Sequence, residues 1–187
     1  MSDPGGASRA RSETEDRVAG LVLGAALVAM GLIAGIFYAY SCSVMPGLAD
    51  VDDRTFIDSM QRINDAIQNP VFFLSFMGAI VITAVTAVLE WRAGRRGAAT
   101  WAAIALACYG MTFIVTVAIN IPLNDDLANA GDLTAITDLA RLAEIRDDFE
   151  DPWVAWNIVR TVASTLALAC LGRALVLHGR AERSTMS

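Results

Sequence analysis

Four long apolar segments, separated by polar connections, dominate the pattern along the 187-residue chain. They cover about residues 18–44, 71–89, 100–119 and 153–177. Each is close to or above the roughly 20 residues that a helix needs to cross a hydrocarbon core of about 30 Å. Within lipid such segments have to be helical, because only then are their backbone polar groups satisfied. The pattern therefore predicts an all-α fold, a bundle of four transmembrane helices within residues 18–178.

Two amphipathic segments lie in the long polar connections, residues 53–69 and 132–149. Apolar side chains recur in them at helical spacing, first at Phe56, Met60, Ile63 and Ile67, and then at Leu133, Ile136, Leu139, Leu142, Ile145 and Phe149. This spacing predicts two helices that lie on the outer face or fold over the bundle. Asp151 followed by Pro152 favours a new helix start, because a capping acceptor and a residue without an N–H suit a first turn.

The distribution of arginine indicates the orientation in the membrane. Nine of the 14 arginines precede the first span, fill the second link, or lie near or beyond the end of the fourth span, and the chain has no lysine. The two long connections contain four arginines and fourteen carboxylates. The positive-inside rule then predicts a multi-pass protein of the plasma membrane with both termini cytoplasmic. Residues 1–17 and 179–187 would be cytoplasmic tails, the first of them disordered because it is rich in Gly, Ser and mixed charge.

Charge and motif content exclude several classes of function. The net charge of −6 argues against nucleic acid as a partner. The three cysteines are an odd count and all lie within the predicted spans, so they imply no disulfide framework. The single histidine, His178, lies at the cytoplasmic end, and no Gly-rich nucleotide loop is present. We therefore expect no metal site and no cofactor-binding motif in this chain.

The first span carries a stripe of small residues. Gly20, Gly24, Gly31 and Gly35 fall on one helical face together with Tyr38. Such stripes allow close helix packing in membranes, so we expect this face to point into the bundle. Tyr38 would then reach a site at the outer end, although an interfacial aromatic belt is an alternative position for it.

The fourth span opens with an aromatic and polar face. Trp153, Trp156, Asn157 and Arg160 follow one another at i, i+3, i+4 and i+7. Placing an Arg inside a membrane helix costs about 2.5–3.5 kcal/mol on insertion scales. Two interpretations stay open. Either the guanidinium snorkels to the interface, or it is a fixed cation in a pocket, where asparagines hold it ready for an anionic or carbonyl oxygen.

Further amides gather at the outer ends of the other spans. Asn64 and Asn69 lie ahead of the second span, and Asn120 and Asn124 lie at the end of the third. Together with Tyr38 and the face of the fourth span, they predict a polar pocket at the outer end of the bundle. The two halves share a proline-bearing exit, an amphipathic segment and an Asn-Pro or Asp-Pro start. This similarity indicates either a parallel repeat or reuse of the same turn chemistry.

Several short motifs resemble those of the DUF1772, or anthrone oxygenase-like, membrane proteins. The resemblance covers about residues 18–178 and rests on Gly35-x-Phe37, Val44-Met45-Pro46-Gly47-Leu48, Met60-Gln61-x-Ile63-Asn64, Asn69-Pro70, Asn120-Ile121-Pro122-Leu123-Asn124-Asp125-x-Leu127 and Trp153-x-x-Trp156-Asn157-x-x-Arg160. It implies a four-helix integral membrane fold. Fungal members are associated with converting anthrones to anthraquinones using molecular oxygen.

Anthrone chemistry suggests roles for these residues. The substrate has to lose a carbon-bound proton to give an electron-rich enolate. The donors that would stabilise its oxygen, and hence the candidate catalytic residues, are Arg160, Asn157, Asn120 and Asn64. The candidate substrate-binding residues are Tyr38, Asn69, Asn124, Trp153 and Trp156. The residues named so far include no base, unless Asp65, Asp125 or Asp126 reaches into the site. Such an oxygenase would work without a cofactor or would borrow an external flavin or quinone.

Three functions remain open at this point. The first is the oxidation of a flat phenolic or anthrone-type molecule with oxygen in an outward-facing pocket. The second is non-catalytic binding or transport of a small lipophilic or anionic molecule. The third is a structural or scaffolding role in the membrane. We expect a small-molecule substrate or ligand and membrane lipid as partners, and association into a homo-oligomer is left open.

Overall fold

A computed structural model of the chain describes residues 4–185, and every regular element in them is a helix. The elements in chain order are α1 (Pro4–Ala39), a π-helical turn (Tyr40–Val44), α2 (Met45–Leu48), α3 (Asp53–Ala66), α4 (Pro70–Arg92), α5 (Arg96–Val115), a second π-helical turn (Thr116–Asn120), α6 (Ile121–Ala128), a 3₁₀ turn (Leu133–Ala135) and α7 (Leu139–Thr185).

Four helical stretches are long and apolar enough to cross a membrane, which confirms the predicted all-α fold with four spans. They are Thr14–Leu48, Pro70–Arg92, Arg96–Ala128 and Leu139–Ala181. α7 packs against α1 and α5, and α4 packs against the same two helices. The centre of the bundle is filled by large side chains such as Leu23, Met30 and Leu171, with Tyr109 donating its hydroxyl to the Phe76 carbonyl at 2.9 Å.

Each π-helical turn ends two residues before a proline. The Met45 N–H donates to the Tyr40 carbonyl ahead of Pro46, and the Ile121 N–H donates to the Thr116 carbonyl ahead of Pro122. A proline ring cannot donate to the carbonyl four residues earlier and crowds it, so the turn before it widens. The proline-bearing exits that make the two halves alike in sequence thus have the same backbone form.

A second apolar layer covers one end of the bundle, which we call the α3 end. Phe56, Ile57 and Met60 of α3 are buried against Leu142 and Phe149 of α7. The Asp52 carboxylate caps α3 by accepting from the Thr55 N–H at 3.1 Å and the Thr55 hydroxyl at 2.6 Å, which lowers its pKa. The predicted amphipathic segments therefore do fold over the bundle.

The second amphipathic segment is continuous with the fourth span, so the helix start predicted at Asp151 and Pro152 is wrong. α7 runs from Leu139 to Thr185 with Pro152 inside it. Phe149 and Trp153 flank the proline in sequence, with ring centroids 6.0 Å apart in one buried cluster. We attribute the persistence of the helix to this packing on both sides of the proline, which offsets the lost backbone hydrogen bond.

The tail predicted to be disordered is helical wherever the structure describes it. α1 already begins at Pro4, and residues 1–3 lie outside the described residues. Asp16 explains part of this order, because its carboxylate pairs with the Arg95 guanidinium at 2.5 Å. Arg95 also pairs with the buried Glu90 at 2.6 Å, and Glu90 lies 2.8 Å from His178 Nδ1. This network joins α1, α4 and α7 at the end opposite α3.

The glycine stripe of the first span is not its packing face, contrary to the sequence-based expectation. The buried line of α1 runs through larger side chains, namely Leu23, Ala26, Met30, Ile33 and Phe37. A Cβ added at Gly24 or Gly35 would meet no atom within 4 Å, whereas one at Gly20 would lie 3.0 Å from His178 Nε2. The larger side chains point inward because they bury more apolar area and fill the interior.

Candidate functional site

A cavity of about 210 Å³ lies at the α3 end, among all four spans and beneath α3. Its apolar wall is aromatic and comes from α1, α4 and α7, mainly through Phe37, Phe72, Phe76 and Trp153. Its polar lining includes Asn64, Asn124, Asp125, Asn157 and Arg160. The rings of Phe72 and Phe76 in this wall are stacked, with centroids 5.6 Å apart and an angle of 13° between their planes. The site is therefore a small aromatic chamber with a few converging polar groups.

Arg160 and Asn157 form the most constrained polar pair in the cavity wall. Arg160 Nη2 donates to Asn157 Oδ1 at 2.9 Å. Asn157 Nδ2 donates to the Phe37 carbonyl at 3.0 Å and to Ser41 Oγ at 2.8 Å. All the polar atoms of the Asn157 amide are thus engaged, which fixes its orientation. The amide in turn fixes one edge of the guanidinium.

The Arg160 guanidinium lies between aromatic rings. Its Cζ is 4.5 Å from the ring centroid of Phe37 and 5.3 Å from that of Trp153. Arg160 is only 5% exposed, so its charge lies in the cavity wall and does not extend to the surface as snorkelling would require. In the described part of the chain no carboxylate comes within 4.0 Å of it. Cation–π contacts and one amide thus stand in for an ion pair.

Several buried polar atoms near the cavity have no protein partner within the described residues. They are Arg160 Nε, Asn64 Nδ2 and Asn120 Oδ1. A buried donor or acceptor without a partner costs about 1–3 kcal/mol. Arg160 and Asn64 both line the cavity, so these two enclosed donors lie in its wall. The arrangement suits a ligand that presents a carbonyl or anionic oxygen.

Two of the predicted asparagines form hydrogen bonds with Trp153. Asn124 Oδ1 accepts from the Trp153 indole Nε1 at 2.8 Å, which orients the ring that forms one side of the cavity. Asn120 is fully buried, and its Nδ2 donates to the Trp153 carbonyl at 3.5 Å. Asn124 lines the cavity, and Asn120 lies outside its lining. Asn120 is therefore placed to support the wall.

Three predicted substrate-binding residues lie outside the cavity. Tyr38 is 60% exposed, because the glycine face that carries it points away from the core. Trp156 is 38% exposed on the flank of α7. Asn69 caps α4, where its Oδ1 accepts from the N–H groups of Val71 and Phe72 at 3.1 and 3.0 Å. Its side chain is thus occupied by a local structural role.

Tyr40 lines the cavity but had no place in the sequence-based site. Tyr40 lies beside Trp153, with ring centroids 5.5 Å apart. It extends the buried line that passes through Ile33 and Phe37 at spacings of four and three, and this helical spacing is visible in the sequence.

Of the three candidate bases, Asp125 lines the cavity, whereas Asp65 and Asp126 do not.

Comparison with known protein families gives a match that includes most residues of the cavity. The anthrone oxygenase family model matches residues 72–170, just over half of the chain. The chain belongs to the anthrone oxygenase family. The part that matches this family runs from Phe72 at the start of α4 to Cys170 in α7, so it contains the aromatic wall of α4, Asp125 and the Asn157–Arg160 pair. No curated protein and no solved structure matches the chain.

The cavity of this anthrone oxygenase family member offers groups for polarising an oxygen atom and accepting a proton. Arg160 and Asn64 supply donors, and Asp125 supplies a carboxylate. Among the residues that the structure describes, no three His, Cys, Asp or Glu side chains form a group that could hold a metal ion. Donors and a carboxylate of this kind can stabilise an enolate and transfer a proton.

Proposed function

We propose that this membrane protein oxidises a flat phenolic or anthrone-type molecule with molecular oxygen in the cavity beside Arg160. The proposal rests on the surroundings of the Arg160 guanidinium. It is buried in an aromatic chamber, keeps a free Nε–H and has no carboxylate partner within the described residues. An oxygen atom that becomes negative during the reaction would complete its surroundings.

The donors act on the substrate carbonyl. The Arg160 guanidinium and the Asn64 amide donate to this oxygen, and Asn157 holds the guanidinium in place. Asp125 accepts a proton from the methylene carbon of the substrate, which leaves an enolate. Buried donors favour the enolate over the ketone because they interact more strongly with the developing negative charge.

The remaining steps balance with oxygen as the only oxidant. The enolate carbon is oxidised by O₂ to a hydroperoxide, and the proton on Asp125 passes to the peroxide. Loss of the second carbon-bound hydrogen as a proton then expels hydroxide as the O–O bond breaks, and that proton converts hydroxide to water. One methylene and one O₂ thus give one ketone and one water. No cofactor is needed for this balance.

The dimensions of the cavity support a flat aromatic ligand. Its volume of about 210 Å³ lies between the roughly 150 Å³ cavity that holds benzene and the 300 Å³ lower limit for drug-sized ligands. The reacting ring of a polycycle would lie against Phe72 and Phe76, with its remaining rings extending toward the rim. Stacking on these rings orients the methylene carbon without any covalent contact.

The test is oxidation of anthrone by the purified protein in lipid vesicles, followed as anthraquinone formation and oxygen consumption. The test variant is Asp125→Asn, and its matched control is Asp126→Asn. The two residues are neighbours, but only Asp125 lines the cavity. We expect Asp125→Asn to lower kcat by about 100-fold or more and Asp126→Asn to change it little. Binding of anthrone without any oxidation by the wild-type protein would instead support the binding or transport function.

A further inference from the structure

We infer that the ligand reaches the cavity from within the bilayer, through a lateral opening between α4 and the α5–α6 stretch. This inference rests on the proposed function, and it adds the source of the substrate, an apolar aromatic molecule dissolved in the membrane. The argument starts from the residues at the rim of the cavity.

The rim is apolar on the side that faces outward from the bundle. Phe73 and Met77 contribute to it from α4, and Val117 and Ile121 from the second π-helical turn and α6. Each of these four side chains is at least 42% exposed, yet each also lines the cavity. Phe73, Met77 and Val117 fall within the predicted spans, so their exposed surface faces lipid.

Helix α3 covers part of the α3 end and is tied in place. Ile57 and Met60 are buried beneath α3, and Gln61 Nε2 donates to the Leu127 carbonyl of α6 at 2.8 Å. Gln68 Nε2 donates back to the Asn64 carbonyl at 3.1 Å. A second, polar opening toward water lies beside α3, because Gln68 and Asp125 are exposed and also line the cavity. The lateral route is lined by apolar side chains and crosses no hydrogen bond that the structure gives.

The bilayer is also where an aromatic ligand of this kind is concentrated. Transfer from water to an apolar medium gains about 0.8 kcal/mol per buried CH₂ group, so a polycycle partitions strongly into lipid. An opening to lipid therefore meets a higher ligand concentration than one to water. Val117 lies in a π-helical turn, a local widening that recurs at functional sites.

Fluorescence quenching of Trp153 tests the route without any reaction. Trp91→Phe, Trp101→Phe and Trp156→Phe leave Trp153 as the single tryptophan, and all three replaced side chains are at least 37% exposed. The protein is placed in phosphatidylcholine vesicles. Bromobenzene, which dissolves in the bilayer, is compared with acrylamide, which stays in water. We expect bromobenzene to quench Trp153 strongly and acrylamide weakly.

Closing the rim gives the decisive comparison. The rim variant combines Val117→Phe with Ile121→Phe, and Ile121→Phe alone serves as a milder form. The matched control combines Met111→Phe with Ile114→Phe, which are exposed on the same stretch but lie outside the cavity lining. The rim variant should lower the bromobenzene quenching constant by about threefold or more, because the added rings fill the passage, while the control keeps it.

Two results would overturn the lateral route. One is unchanged bromobenzene quenching in both rim variants. The other is acrylamide quenching of Trp153 that equals the quenching by bromobenzene. Neither result involves anthrone or oxygen, so a failure of the lateral route is distinguishable from a failure of the proposed oxidation, which is seen only as absent anthraquinone formation.

Discussion

Arg160 Nη2 donates to Asn157 Oδ1 over 2.9 Å, and this bond connects the cavity to the first span. Asn157 Nδ2 continues the chain of hydrogen bonds to the Phe37 carbonyl and to Ser41 Oγ. The cation that faces the cavity is thus positioned by an amide whose other contacts lie on α1 and the first π-helical turn. A change in the first span can therefore alter the site through this pair.

The first prediction concerns Asn157. Asn157→Ala removes the acceptor that fixes Arg160 and two donors to the first span, so we expect a loss of about 1–3 kcal/mol in stability and at least tenfold in kcat. Ser41→Ala removes one of these contacts and should have a smaller effect on both. Thermal unfolding in detergent and anthrone oxidation measure the two quantities. Wild-type activity in Asn157→Ala would show that the site does not need the Asn157 amide.

The second prediction distinguishes the roles of two neighbouring tyrosines. Tyr40→Ala deletes a ring that lines the cavity beside Trp153. An aromatic contact contributes about 0.5–1.5 kcal/mol, so losing this ring's contact with bound anthrone should raise KM roughly two- to tenfold. Tyr38→Ala alters an exposed side chain and should leave KM unchanged. Steady-state kinetics of both variants decide between them. The reverse ranking would restore Tyr38 as the residue facing the ligand.

The third prediction concerns the glycines of α1. Gly20→Leu places a side chain where a Cβ already lies 3.0 Å from His178 Nε2, so it should destabilise the bundle by about 1–3 kcal/mol. Gly35→Leu meets open space and should leave the thermal midpoint in detergent nearly unchanged. Equal midpoints in the two variants would mean that α1 and α7 separate easily at this end.

The fourth prediction is the topology. In a background without the native cysteines, exposed probes Arg62→Cys and Thr137→Cys should react with an impermeant maleimide added outside cells, and Ala93→Cys should react only after lysis. This result follows from the arginine distribution, which predicts that both termini and the second link are cytoplasmic. The opposite labelling pattern would show that the protein has the inverse orientation, with the cavity at the cytoplasmic side.

The spans and much of the site could be predicted from sequence because each depends on local pattern. Apolar length determined the four spans, and the 3.6-residue period placed Asn157 and Arg160 on the same face as Trp153. The positions of Asn64 and Asn124 followed from where the spans end. These features required no knowledge of how one helix rotates against another.

The errors arise where packing or backbone form overrides local pattern. The sequence of α1 contains both a glycine stripe and a line of larger apolar residues, and local pattern does not decide which of them faces the core. The glycine stripe therefore predicts Tyr38 in the site, whereas the structure has Tyr40 there. Asp151 and Pro152 look like a helix start, but burial of Phe149 and Trp153 on either side accompanies one continuous helix. The wide turn at Thr116–Asn120 also changes which residues reach the cavity rim.

The most direct measurement of the central claim is anthraquinone formation by Arg160→Lys beside Arg160→Ala, with Arg173→Lys as the control at an exposed position. Lysine keeps the positive charge but loses the planar fork that binds Asn157 and a ligand oxygen together. We predict that Arg160→Lys loses about 100-fold or more in kcat, nearly as much as Arg160→Ala, because both lack the fixed donor. Arg173→Lys should behave as wild type. Wild-type turnover in Arg160→Lys would contradict the claim that this guanidinium is the fixed donor of the site.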